Sequence, residues 1–210
     1  MGGNQGKLIQ RSATFPPRPL YLSAPEKKAL IAQYPDKVLD GNALAARIKA
    51  DLKKHIELNT VKRNSRPVLG HIIVGDLAQS ELYVRLKLKA CDEVGIGHRG
   101  FNLPATVTET KLLECIDDLK NDSSISGILV QLPLPKTLDQ EAIVNLVGPN
   151  KDVDGLHPFN IGSLALKRHT PYFVSCTPLG VVEILKEVLG SEEAIAKKQV
   201  LIIGRSNIVG

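Results

Sequence analysis

The chain has no tryptophan, one methionine and, in 210 residues, only four tyrosines and four phenylalanines. Little aromatic surface is left for stacking on bases, which argues against a nucleic-acid binder. Its three cysteines, Cys91, Cys115 and Cys176, are odd in number and far apart. They make neither a zinc spacing nor a secreted disulfide framework, and a reducing compartment fits them best. No two of the five histidines stand four residues apart, so no metal site is expected. No apolar run approaches the roughly 20 residues that span a bilayer, so no membrane partner is expected either. Internal repeats are also missing.

Acids are absent from the first 25 positions, Glu26 being the first. The net charge is +5, and residues 1–37 carry six bases against two acids. The basic character therefore belongs to this extension and not to a domain face. Its bases, hydroxyls and prolines suit an organellar transit peptide, and equally a disordered tail. The expected compartment is correspondingly mitochondrial or cytoplasmic.

What is present is ample apolar material, 43% of the residues, in alternating periodicities. Asp40, Gly41 and Asn42 can cap a helix with Leu44, Ile48, Leu52 and Ile56 on one inward face. Residues 68–74 read as a β-branched strand closed by Gly75. Ser80 caps a helix over 81–94, which Gly95 stops. A short strand spans 98–103. Thr108 opens a helix with Leu112, Leu113, Ile116 and Leu119 inward. An apolar strand spans 127–132 before Pro133 and Pro135, and Asp139 caps a helix through Val147. An irregular stretch, roughly 148–175, follows. Thr177 and Pro178 read as N-cap and first helical residue of a helix over 179–189, and 200–203 as a buried strand. Strands alternating with helices, the strands nearly continuous in apolar residues, predict an α/β fold with a mainly parallel sheet.

Several residues could carry chemistry. Tyr83 and Lys87 stand one turn apart on a helix, as an aromatic platform and a proton carrier, or as a solvated pair. Gln131 ends an apolar strand, where ligands of parallel sheets bind, or is a strand-end residue satisfied by backbone. Lys151-Asp152-Val153-Asp154-Gly155 offers two carboxylates, for the donor groups of an aminopyrimidine or as turn caps. Gly204, Arg205 and Ser206 follow a strand, where charge and hydroxyl suit a phosphate. The glycine spacing there departs from the usual dinucleotide fingerprint.

Together and in order these stretches closely resemble the bifunctional methylenetetrahydrofolate dehydrogenase/cyclohydrolase family: Y-V-x-x-K at 83–87, V-Q-L-P-L-P at 130–135, K-D-V-D-G at 151–155, H-P-x-N at 157–160, C-T-P-x-G at 176–180 and G-R-S-N-I-V-G at 204–210. The resemblance runs from about Val38 to Gly210. It implies a folate-binding α/β domain joined across a cleft to a Rossmann domain. It divides the chain into a basic extension (1–37), a folate-binding catalytic domain (38–175), and a linker helix with the first strand and phosphate loop of the Rossmann domain (176–210).

The implied chemistry is oxidation of 5,10-methylenetetrahydrofolate by NADP, or NAD in some members, then hydrolysis of the methenyl product to 10-formyltetrahydrofolate. Lys87 matches the catalytic lysine and Gln131 its hydrogen-bond partner. Tyr83 matches the residue that stacks on the aminobenzoyl ring, and Asp154 the pterin-binding acid. Val130, Gln131 and Leu132 line the substrate, and Gly204, Arg205 and Ser206 contact the cofactor phosphate. Attack of water on a methenyl cation needs a proton acceptor. An uncharged partner such as Gln131 orients an amine for that role without the pull of a carboxylate.

Ser163 and Ser175 depart from the family's usual residues, and the connection 189–199 is longer. The family continues past Gly210 with the rest of its Rossmann domain and a homodimeric assembly. The chain as given is therefore expected to lack dehydrogenase activity, either as part of a longer enzyme or as a short isoform that binds folate or a partner without turnover.

Overall fold

The computed structural model describes residues 23–34, 39–76, 78–204 and 206. They divide into two units, one ending at Asp40 and the other beginning at Gly41. In the first unit the basic extension contains a helix, α1 (Ala24–Gln33). End chemistry makes it: the Ser23 hydroxyl accepts from the Glu26 amide, and the Glu26 carboxylate accepts from the Ser23 amide at 2.7 Å. This reciprocal pair satisfies two N–H groups that a helix start leaves open.

The second unit opens with α2 (Gly41–Arg63), directly after Asp40. It continues through β1 (Val68–Val74), α3 (Ala78–Val94), β2 (Gly97–Leu103), α4 (Glu109–Asn121), β3 (Gly127–Val130), α5 (Gln140–Val147) and α6 (Pro158–Ala165), and then α7 (Cys176–Leu189) and α8 (Glu192–Ala196). The three strands form a parallel sheet in the order β2-β1-β3. Val68 pairs with Gly97, and Leu69 with Gly127. This is the parallel α/β arrangement the alternating periodicities predict.

The apolar core lies between this sheet and the face of α4 that carries Leu112, Cys115, Ile116 and Leu119, all buried. Ile143 and Val147 of α5 join the same cluster. Gly70 lets the sheet approach: a Cβ there would stand 3.1 Å from both Leu119 and Ile125. Thr108 and Asp139 cap α4 and α5 as expected, through hydroxyl and carboxylate acceptors for Lys111, Glu141 and Ala142 amides.

Six expectations are corrected. The α2 stripe is only partly covered: Leu44 and Ile56 are half-buried, Ile48 and Leu52 are exposed, and no residue of the helix is fully buried, because periodicity chooses a face but only a partner covers it. Helix α3 starts at Ala78, so Ser80 lies within its span and not before it. Strand β3 stops at Val130, since Pro133 and Pro135 cannot donate to a ladder. Helix α7 starts at Cys176 after an N-cap at Ser175, which puts Thr177 and Pro178 inside the first turn, where a missing N–H is tolerated. Residues 200–203 form no strand and are exposed, Ile203 at 92%; no strand among the described residues pairs with them, and an apolar segment needs a neighbour to become a strand. The stretch 148–175 is also less irregular than expected, because it holds α6.

Candidate active site

At the carboxyl end of β3 the ladder persists one residue past the strand, with the Gln131 amide donating to Ile72 O at 2.9 Å. The Gln131 side chain is then used at both ends. Its Nε2 donates to Leu132 O at 2.6 Å, and its Oε1 accepts from Lys87 Nζ at 3.3 Å. A carboxamide suits this place because it faces a carbonyl with a donor and an ammonium with an acceptor; a carboxylate would meet Leu132 O with a second oxygen. Lys87 is half-buried on α3, and Tyr83, one turn earlier, is exposed at 59%. Leu132 is half-buried against the core, whereas Val130 gives its side chain to the core itself.

The second side of the site is the loop between α5 and α6. Lys151 Nζ donates to the carbonyls of Lys120 (2.8 Å) and Asp122 (2.9 Å), closing the C-terminal end of α4 with a cation where the helix dipole favours one. Asp152 is buried, and its backbone bridges to Ile128 of β3. Gly155 turns the chain with φ +67, and a Cβ there would stand 2.5 Å from the Ser175 amide nitrogen. Only glycine meets both demands.

Asp154, between these anchors, is half-buried. Burial pushes its carboxyl above the usual carboxylate range; the Lys87 charge pulls it down, and Asp152 pushes it further up. Lys87 thus has a carboxylate in its field as well as the uncharged Gln131, a neighbour the sequence reading did not give it. Cys176 is the residue that reading left out. The residue is exposed, its Sγ is 3.5 Å from Val153 O, and its thiol is pushed up by partial desolvation first and by Asp154 second. The C-T-P-x-G stretch was its only signal, since a single cysteine has no periodicity.

Lys87 and Gln131 therefore meet in a hydrogen bond, Asp154 and Cys176 feel the Lys87 charge, and Tyr83 stands one turn earlier on the same helix. A cation, a carboxamide and a half-buried carboxylate can accept paired N–H donors and hold or move a proton. Gly204 and Ser206 follow the irregular segment 200–203. Both are exposed in irregular backbone, and Arg205 lies outside the described residues. Among the described residues no helix follows Ser206. Among the described residues there is also no cluster of metal-ligating side chains, and no helix long and apolar enough to cross a membrane.

A parallel α/β domain with a lysine–carboxamide–carboxylate cluster at its strand ends is the class that this geometry defines. The sequence matches the family of the tetrahydrofolate dehydrogenase/cyclohydrolase catalytic domain over residues 39–154, more than half of its length, and the chain belongs to that family. It is 43% identical over 174 residues to bifunctional protein FolD of Geotalea daltonii, covering 83% of this chain and 60% of the relative. Against FolD of Acetivibrio thermocellus the identity is 45% over 174 residues, covering 83% and 59%.

Two solved structures are similar. One is the bifunctional FolD methylenetetrahydrofolate dehydrogenase/cyclohydrolase of Campylobacter jejuni, with TM-score 0.72, 41% identity and coverage of 81% of this chain and 59% of that one. The other is the FolD enzyme of Trypanosoma brucei complexed with NADP and an inhibitor, with TM-score 0.76, 37% identity and coverage of 82% and 58%. The chain spans about three fifths of the length of the curated relatives it matches.

Proposed function

We propose that this chain supplies the folate side of a methylenetetrahydrofolate dehydrogenase/methenyltetrahydrofolate cyclohydrolase in one-carbon metabolism, with NADP as the partner of the oxidation and a homodimer as the full-length assembly. The observation that carries the reading is the Lys87 Nζ–Gln131 Oε1 hydrogen bond at 3.3 Å beside the raised Asp154 carboxyl. Family membership and the T. brucei enzyme's NADP complex support it.

In this reading Asp154 accepts the N–H donors of the pterin, and Tyr83 packs on the aminobenzoyl ring. In the hydrolytic step a water oxygen bonds to the methenyl carbon as the C=N π pair moves onto nitrogen, and the proton it sheds is taken by the Lys87 amine in its unprotonated form. Gln131 Oε1 holds that amine in place, because its own amide is fixed by Leu132 O. The C–N5 bond then breaks, with that proton delivered to N5, leaving the 10-formyl product. Hydride transfer needs the nicotinamide, and Lys87 and Asp154 contribute positioning to it. In a protein as long as its relatives, Lys87→Met is expected to abolish hydrolysis of methenyltetrahydrofolate while leaving folate affinity within a few fold. Unchanged hydrolysis would remove Lys87 from the mechanism.

A further inference from the structure

Asn160 is the one polar side chain among the described residues with no exposure at all. It cannot touch a ligand, yet both ends of its amide are engaged. Its Nδ2 donates to Asp152 Oδ2 and to Pro149 O, each at 3.0 Å. Its Oδ1 accepts from the Tyr172 amide at 3.0 Å and the Phe173 amide at 3.5 Å. Asp152 Oδ2 also accepts from the His157 amide at 2.8 Å. One buried carboxamide thus ties together four points of the stretch between α5 and α7. Asp154 lies inside the span from Pro149 to His157, two residues from Asp152, and Gly155 N donates to Asp152 O at 3.1 Å.

We propose that Asn160, acting through Asp152, is the positioning residue for Asp154: it fixes the loop so that this carboxylate faces Lys87 at the folate site. The proposal rests on the reading of Asp154 as the folate-binding acid. Its physical basis is that half-burial of Asp154 makes the ionised form costly. Such a group stays in place only when the surrounding backbone leaves it nowhere else to go. The four amide bonds of Asn160 provide that constraint. Hydrogen bonds carry it, so the charge of Asp152 is dispensable: the carboxamide of an Asp152→Asn variant still offers one oxygen to His157 and Asn160.

The test measures binding of 5-formyltetrahydrofolate to the 210-residue chain, with amide hydrogen exchange on the same samples. Asp154→Asn tests the underlying reading, and at least tenfold weaker binding is expected. Asn160→Asp, which keeps the acceptor and loses both donor bonds, is expected to weaken binding at least tenfold. It should also speed exchange at the His157 and Tyr172 amides while β1 and β3 stay protected. Asp152→Asn is expected to bind within threefold of the parent and Asp152→Ala at least tenfold more weakly. If Asn160→Asp unfolds the chain, the Asp152 pair decides alone.

Parental affinity in Asn160→Asp, or Asp152→Asn as weak as Asp152→Ala, overturns the proposal. So does exchange that spreads into β1 and β3, which would make Asn160 a general core residue. A parent that binds no folate, or Asp154→Asn binding as the parent does, overturns the underlying reading instead. Exchange at His157 and Tyr172 then still decides whether Asn160 holds the loop.

Discussion

Residues 68–147 and residues 176–206 are both rich in aliphatic side chains, yet they end up in opposite conditions. In the first stretch the apolar faces of β1, β3, α4 and α5 meet, and Ile72, Leu112 and Ile143 are fully buried. In the second, α7 and α8 form but neither helix has a buried residue. Leu179, Val181, Ile184 and Val188 remain exposed on α7, and 200–203 has no regular structure. Helices close their hydrogen bonds within themselves, so α7 needs only good ends and propensity. A strand closes its bonds with a neighbour, so 200–203 stays irregular. Apolar composition alone did not distinguish the two regions; partners did.

The comparison is sharpened most by the same substitution made in both. Ile116→Ala, at a residue 1% exposed, should cost about 2–5 kcal/mol of unfolding free energy, through lost burial and the cavity left behind. Ile203→Ala, at 92% exposed, should stay within about 0.5 kcal/mol. Urea titration of both variants measures this. A large loss at Ile203 would break the contrast by showing that the second region is covered in solution.

What could be read in advance follows the same division. Strand β1 and helices α4 and α5 were legible because their apolar positions repeat with a clear period and Thr108 and Asp139 punctuate them. The Lys87–Gln131 pair was legible through the family resemblance, which matches the two as a lysine and its hydrogen-bond partner. Helix α6 was not, since its eight residues, PFNIGSLA, include a glycine and bury Asn160 and Ser163 in place of an apolar stripe. Nor was the α2 stripe interpretable: Leu44, Ile48, Leu52 and Ile56 have helical spacing, but spacing cannot tell whether another surface covers it. Cys176 enters the site only through the path of the loop, which no local pattern encodes.

A second test falls on the seam between the two regions. Gly155 adopts φ +67, and its missing Cβ leaves room for the Ser175 amide at the start of α7. Gly155→Ala should cost on the order of 2 kcal/mol, combining the left-handed backbone with the clash. Amide exchange should rise around residues 152–157 and 172–176 before it rises in β1. Exchange rising uniformly through the sheet would show that this seam is part of the core and not its border.

The smallest expected effect concerns charge, and it separates the site from the core that supports it. Asp154 has a carboxyl pKa raised in the folded state, burial being the larger cause and Asp152 an added one, with Lys87 opposing. Below the unfolded carboxylate range the group is protonated in both states, and its contribution to stability is complete. As pH rises through the raised folded value, the unfolded chain releases the proton more readily, so that contribution is lost. Asp154→Asn removes the titration while keeping the shape. The variant should therefore melt at a higher temperature than the parent at neutral pH, with the difference shrinking towards zero as the pH falls below the ordinary carboxylate range. The gain is small, because the attraction to Lys87 offsets part of the desolvation and the group is only half-buried. Thermal melts across this range decide it. A variant less stable at neutral pH would mean that the Lys87 attraction outweighs burial. A more stable variant that binds folate poorly would place Asp154 among residues kept for what they bind, at a cost to the fold that Ile116 and its neighbours offset.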